Sequence, residues 1–214
     1  MARQLTNLLE QRGKKLGNFL SELIHDFLIL FGIVNIIGNI PHISALTNDI
    51  SLQKKRKIFY FATFTSICLV SIFAVGGNFI LLNVFDVTFS SFKVAGGIIV
   101  FLVSVRGVVL GPSKAVGFSE NADFSQRFST IVFPFLVGPG TLVTTILLMQ
   151  ASGRIQTLFV IMLVYSFVLL VLMLIPFIEK TVGKLIMLMT SRILYIFVAA
   201  KAVKFIISGI KECF

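Results

Sequence analysis

The chain has 214 residues, 57% of them hydrophobic and only 13% charged, with a mean hydropathy of +0.99 and a formal net charge of +10. A soluble domain carries about a quarter charged residues, so this composition excludes one. At roughly 20 apolar residues per bilayer crossing, the length allows about six spans with short loops.

The first 23 residues lack the compact apolar core and small-residue cleavage site of a signal peptide. Leu5, Leu8, Leu9, Leu16, Phe19, Leu20 and Leu23 recur at helical spacing, which predicts an amphipathic helix on the membrane surface over 1–23. Span 1 is expected over 24–47. It contains the run Asn35-Ile36-Ile37-Gly38-Asn39-Ile40-Pro41, where helix breakers interrupt an apolar stretch. Span 2 follows over 58–82 after the cluster Lys54 to Lys57, with Thr63, Thr65, Ser66 and Ser71 expected to bond back to helix carbonyls. Gly76, Gly77, Asn78, Asn83 and Asp86 predict a frayed exit.

Span 3 is expected over 89–110, with Ala95-Gly96-Gly97 as a face without bulk that lets a neighbouring backbone approach. A polar loop over 111–127 divides the chain. Span 4, over 128–151, holds the second interruption, Phe133-Pro134-Phe135-Leu136-Val137-Gly138-Pro139-Gly140-Thr141. Span 5 covers 155–178 without a charge. An amphipathic connector over 179–192 leads to span 6 over 193–210.

These elements predict a single all-α polytopic membrane domain over 1–214. Gly38 and Gly138 stand in corresponding places, each followed by two more spans, which predicts two inverted three-helix repeats, 24–110 and 128–214, with spans 1 and 4 broken. The three even connections hold Lys54, Lys55, Arg56, Lys57, Lys114, Arg127, Lys180 and Lys184, against Lys93, Arg154, Lys211 and the four cations of the N-terminal tail on the other side. The positive-inside rule then puts these connections in the cytoplasm and both termini outside. Cations between apolar runs set topology and meet anionic headgroups, so no nucleic-acid partner is expected. Cys68 and Cys213 suggest neither a disulfide framework nor a metal site.

A helix that restarts inside a membrane presents unpaired N–H groups and the positive end of its dipole. Gly138-Pro139-Gly140 fits a restart, because Gly138 is free to take unusual dihedrals and Pro139 suits the first helical position. Asn39 with Pro41 allows the same reading, with Asn39 as the cap. Thr141, Thr144 and Thr145 add hydroxyls in the first turns beyond. Two such ends meeting would attract a carboxylate without a formal charge. The alternative is that glycine and proline only kink the helices for packing.

Among ionisable residues, His42 after Pro41 suits a proton-coupled step or a satisfied structural role. Lys201 and Lys204 share a face of span 6 and could meet an anion. His25 and Asp26 are expected at the interface. No metal-binding, phosphate-loop or catalytic motif is present, so neither enzyme activity nor a cofactor is expected.

In four stretches the sequence resembles the MarC family of six-span bacterial membrane proteins: Asn35 to Pro41, Ser91 to Leu102, Phe133 to Thr141, and Ser191-Arg192-Ile193-Leu194. The resemblance covers nearly the whole chain. It implies a lysine-exporter-like superfamily fold and a bacterial inner-membrane location. It also implies proton-coupled transport of a small neutral amino acid; a sodium gradient or the solute's own gradient is the alternative drive. Ile36 replaces the first proline of the family's usual run, His42 replaces an apolar residue, and Lys201 and Lys204 stand where neutral residues are usual.

The resulting expectation is a secondary transporter of a small polar metabolite, working by alternating access. Asn35, Gly38, Asn39, Pro41, Pro134, Gly138, Pro139, Gly140, Thr141 and Thr144 are the expected substrate site and His42 the coupling residue. The competing reading is a non-transporting scaffold or accessory subunit. Solute identity, direction, coupling ion and oligomeric state stay open.

Overall fold

The computed structural model describes residues 2–47, 49–110 and 123–213. Most of the polar loop, 111–122 with Lys114, lies outside the described residues. Among those described, every regular element is helical: α1 (Ala2–Val34), α2 (Ile36–Thr47), α3 (Leu52–Phe79), α4 (Phe89–Leu110), α5 (Phe124–Thr130), α6 (Pro139–Ser152), α7 (Arg154–Val182) and α8 (Lys184–Cys213). The wider π-type turns Ile80–Val84 and Ile131–Leu136 extend α3 and α5.

Five segments are long and apolar enough to cross a membrane: Phe19–Ser44, Leu52–Val84, Phe89–Leu110, Arg154–Ile178 and Leu188–Cys213. Phe124–Leu136 and Pro139–Ser152, a pair bent by 50°, are a sixth candidate, either one broken span or a re-entrant loop. Large apolar side chains cover the outside, including Phe64, Ile72, Phe177 and Phe197. Water does not tolerate such a surface on a monomer, whereas lipid does.

Local chemistry sets the joints. The Ser51 hydroxyl and the Asp123 carboxylate accept hydrogen bonds from the amides of Lys54 and Gln126, capping α3 and α5. Gly153 (φ 80°, ψ 173°) and Gly183 (φ 77°, ψ 150°) turn the chain into α7 and α8 through a backbone region essentially reserved for glycine. The expected connector over 179–192 is therefore no separate element: a turn at Gly183 splits it between the end of α7 and the start of α8. Likewise α1 carries the N-terminal amphipathic stretch into the first span without interruption. The expected fraying near Gly76 is also absent, since α3 runs through to Phe79 and into its π turn.

The core runs through α1, α2, α3, α5, α6 and α7, with Leu30, Ile36, Phe59, Leu136, Ile161 and Leu172 among its buried side chains. The α4–α8 contact is the most extensive between helices. A Cβ on Gly97 would stand 2.8 Å from Ile206 Cγ1 and 3.0 Å from the Ala202 carbonyl oxygen. One on Gly107 would meet the Tyr195 ring at 2.7 Å, and one on Gly209 the Ser90 carbonyl oxygen at 2.8 Å. Partner numbers fall along α8 as they rise along α4, so the two helices are antiparallel.

Three polar tethers tie the bundle. Both Arg127 guanidinium arms donate to the Asp49 carboxylate at 2.6 Å, and one also donates to the Leu46 carbonyl. The guanidinium holds Asp49 below the usual carboxylate range. Lys93 donates to Glu212 at 2.5 Å, joining the start of α4 to the end of α8. Gln156 donates to Asp26 at 2.9 Å. Asp26, expected as an ordinary interfacial residue, is only 5% exposed and packs against the start of α7.

Candidate functional site

The first interruption falls at Asn35, not at Gly38 or Pro41. Asn35 takes φ 48°, a left-handed conformation that asparagine tolerates better than most residues. Its amide closes α1 on the Phe31 carbonyl, and its carbonyl accepts from the Asn39 amide to open α2. Asn35 is thus the residue between two helices. Gly38 makes room for its side chain, since a Cβ there would meet Asn35 Nδ2 at 2.5 Å. Pro41 lies inside α2.

The second interruption spans Phe133 to Gly138. Phe133 is extended (φ −126°, ψ 123°), the Phe133–Pro134 bond is cis, and Val137 is non-helical. Pro139 opens α6 as anticipated, with Gly138 before it. Gly138 itself has ordinary extended dihedrals (φ −88°, ψ 164°). What it needs is space, because a Cβ would stand 3.1 Å from the Pro134 carbonyl oxygen.

Side chains satisfy three carbonyls at the two interruptions. The Asn39 side-chain amide donates to the carbonyls of Val34 and Phe135, each at 3.3 Å. Tyr165 donates to the Leu136 carbonyl at 2.6 Å. The reading of Asn39 as a helix cap is therefore corrected: it is a mid-helix residue of α2 that bridges the two breaks. On the amide side, Leu142 N–H reaches the Gly138 carbonyl, while Gly140 and Thr141 N–H have no acceptor among the described residues.

A cavity of about 60 Å³ opens between the interruptions, with room for a few waters. Asn35, Asn39, Pro134, Gly138, Pro139, Gly140 and Thr141 line it, so seven of the ten expected substrate residues meet there. Gly38, Pro41 and Thr144 do not. Thr144 is buried with its hydroxyl unpartnered, and Thr145 bonds back to the carbonyls of Thr141 and Leu142. The residues alone did not single out Ser104 of α4 or Tyr195 of α8, which also line the cavity.

Tyr195 resolves the protonation of the network. Both donors of the Asn39 amide are spent on carbonyls, so its oxygen is fixed as an acceptor, and Tyr195 O–H donates to it at 2.9 Å. The tyrosine has a single proton. Its oxygen must therefore accept from His42 Nδ1, 3.0 Å away. That places the neutral imidazole's proton on Nδ1 and leaves Nε2 as a bare acceptor, fully buried and without a partner. The ring lies between Phe135 and Tyr195, with centroids at 5.1 and 5.6 Å.

The comparisons with known proteins agree in kind. The family model described as "MarC family integral membrane protein" matches residues 20–214. A UPF0056 membrane protein of Archaeoglobus fulgidus is 34% identical over 206 residues, covering 92% of this chain and 96% of its own. The UPF0056 membrane protein YvbG of Bacillus subtilis is 27% identical over 206 residues, covering 91% and 94%. One from Buchnera aphidicola subsp. Baizongia pistaciae is 27% identical over 195 residues, covering 86% and 90%. No solved structure matches. With its helices sheathed in apolar side chains and the match running from residue 20 to the last residue, the chain belongs to the MarC family of multi-pass integral membrane proteins.

Proposed function

We propose that this protein is a secondary transporter of a small polar metabolite, an amino acid by class, working by alternating access around the two interrupted helices. The observation that carries the reading is the asymmetry at the breaks. Three carbonyls beside them, of Val34, Phe135 and Leu136, are capped by Asn39 and Tyr165, whereas the amides of Gly140 and Thr141, in the first turn of α6, are left without acceptors among the described residues. A helix start with open amides attracts a carboxylate, and the hydroxyls of Thr141, Ser104 and Tyr195 offer partners for an ammonium or hydroxyl. Nothing in this reading calls for a catalytic step, a metal or a cofactor.

The reading requires six crossings in two inverted halves. Two tethers support it: Asp49, just after α2, binds Arg127 of α5, and Asp26, early in the first span, binds Gln156 just after α6. The bent α5–α6 pair thus starts beside the end of the first span and finishes beside its start, antiparallel along its length. Antiparallel α4 and α8 supply the second such pair. Irregular backbone at this depth needs a protein-lined or watery cavity, and the pocket is one. The bacterial inner membrane follows as the proposed location.

His42 is the proposed coupling residue. Its Nε2 is the one site in the network able to take a proton without breaking a bond already made. The scaffold reading draws on the cavity's small volume, which fits tight packing as well as an occluded solute site.

Uptake of labelled alanine, glycine and serine into liposomes holding the purified protein separates the two. Saturable flux that Gly138→Leu abolishes without loss of membrane insertion is the expected result, as is a His42→Gln variant that still exchanges but no longer responds to a pH gradient. No flux of any solute across a full screen would favour the scaffold.

A further inference from the structure

Lys201 stands 13 residues after Leu188 and 12 before Cys213 in the last span. At 1.5 Å per residue this 26-residue span is longer than the roughly 30 Å of hydrocarbon it has to cross, so mid-span lies about 15 Å from either face, beyond the reach of a four-carbon stem. The ammonium cannot snorkel to headgroups and must be accommodated inside. It lines a second cavity, of about 190 Å³, with Gly32, Asn35, Leu194 and Val198 among the other walls. Gly32 admits it: a Cβ on that glycine would stand 3.0 Å from the Lys201 nitrogen.

Among the described residues Lys201 belongs to no ion pair. The nearest charge along its own helix is another cation, Lys204, one turn on. A half-buried ammonium among apolar walls is costly unless an anion joins it. The cavity also borders the first one. Asn35 and Val198 line both, so the cavity of the α6 amides and the cavity of Lys201 share a wall at the left-handed residue of the first interruption.

We infer that the Lys201 cavity is a second anion subsite, and that the preferred solute carries two carboxylates, as an acidic amino acid or a short dicarboxylate does. One carboxylate meets the α6 amides and the other meets Lys201. The inference rests on the broken-helix cavity being the solute site, and it moves the preferred solute from neutral to acidic.

Titration calorimetry on the full chain in phosphatidylcholine vesicles, with L-aspartate, succinate and L-alanine as probes, tests it. Aspartate and succinate are expected to bind at least tenfold more tightly than alanine. Lys201→Gln should bring both down to the alanine level and leave alanine binding unchanged, while Lys201→Arg keeps the preference. The unliganded Gln variant should melt no lower than the parent, because it loses an unpaired charge.

Equal binding of aspartate and alanine by the parent, or a preference that survives Lys201→Gln, overturns the subsite. So does a large fall in melting temperature, which would mark Lys201 as a structural cation. Alanine flux without an aspartate preference sinks the subsite and spares the transporter. Lys201-dependent aspartate binding without any flux spares the subsite and sinks the transporter.

Discussion

The two buried tyrosines of this bundle do work that phenylalanine could not. The chain has 23 phenylalanines and only 3 tyrosines. Two of those tyrosines, Tyr165 and Tyr195, are buried, and both hydroxyls bond at the interruptions. A buried tyrosine hydroxyl finds a partner as a rule, so a rare tyrosine in a phenylalanine-rich span was a readable sign of a polar centre. Asn39 carries most, holding two backbone carbonyls and orienting Tyr195. Replacing Asn39 by Leu leaves the Val34 and Phe135 carbonyls buried and unpaired, at about 1–3 kcal/mol each. The expected result is a fall in denaturation midpoint in detergent well beyond that of Tyr195→Phe, which strands only Asn39 Oδ1 and His42 Nδ1. Equal losses would show that the carbonyls have other partners.

Among elements, the antiparallel α4–α8 pair depends on glycines at the contact, and Ala95-Gly96-Gly97 announced it. Gly96 abuts Val143 and Pro139 of α6, and Gly97 abuts α8. Lipid offers no hydrophobic drive between helices, so close backbone approach does the joining. Gly97→Ala should therefore destabilise the fold by about 1–3 kcal/mol through overpacking. Gly76→Ala, whose new Cβ finds its nearest neighbour at 3.7 Å, should be neutral or gain about 0.5–1 kcal/mol from better helix propensity. Paired unfolding midpoints check both signs. The glycine signal was legible because small residues have one dominant use at helix contacts. The site of the first break was not, because proline and glycine are the usual breakers, yet Pro41 sits inside α2 and the turn falls to Asn35. Asparagine's tolerance of positive φ shows up only when a tertiary partner holds it there. The start of α6 at Pro139 was legible because Gly-Pro-Gly puts a donorless residue at the helix start, a local constraint with few solutions.

For the whole molecule, the number of crossings decides which compartment each end of the chain sees. Five helical segments suffice to cross without help, and the α5–α6 pair is either a sixth crossing with a bend or a re-entrant loop. A re-entrant pair would begin and finish on one side. The tethers argue otherwise, since Arg127 at one end of the pair binds Asp49 beyond α2, and Gln156 just past the other end binds Asp26 near the start of the same span. Those partners are separated by most of a transmembrane helix. Six crossings put both termini on one side, and five put them on opposite sides. The cations give the expected side: Lys54, Lys55, Arg56 and Lys57 before α3, set against Arg154 before α7 and the basic N-terminal tail, predict a cytoplasmic α2–α3 connection with both termini outside. Cysteine-free chains carrying single cysteines at Ser51, Gly153 and Lys211 test this with a membrane-impermeant thiol reagent on intact cells. Labelling at Gly153 and Lys211 but not at Ser51 is the expected pattern. Labelling at Ser51 alone keeps six crossings and reverses the orientation. Gly153 and Lys211 falling on opposite sides would remove the shared face on which the end of α6 and the end of α8 must lie, and with it the inverted halves.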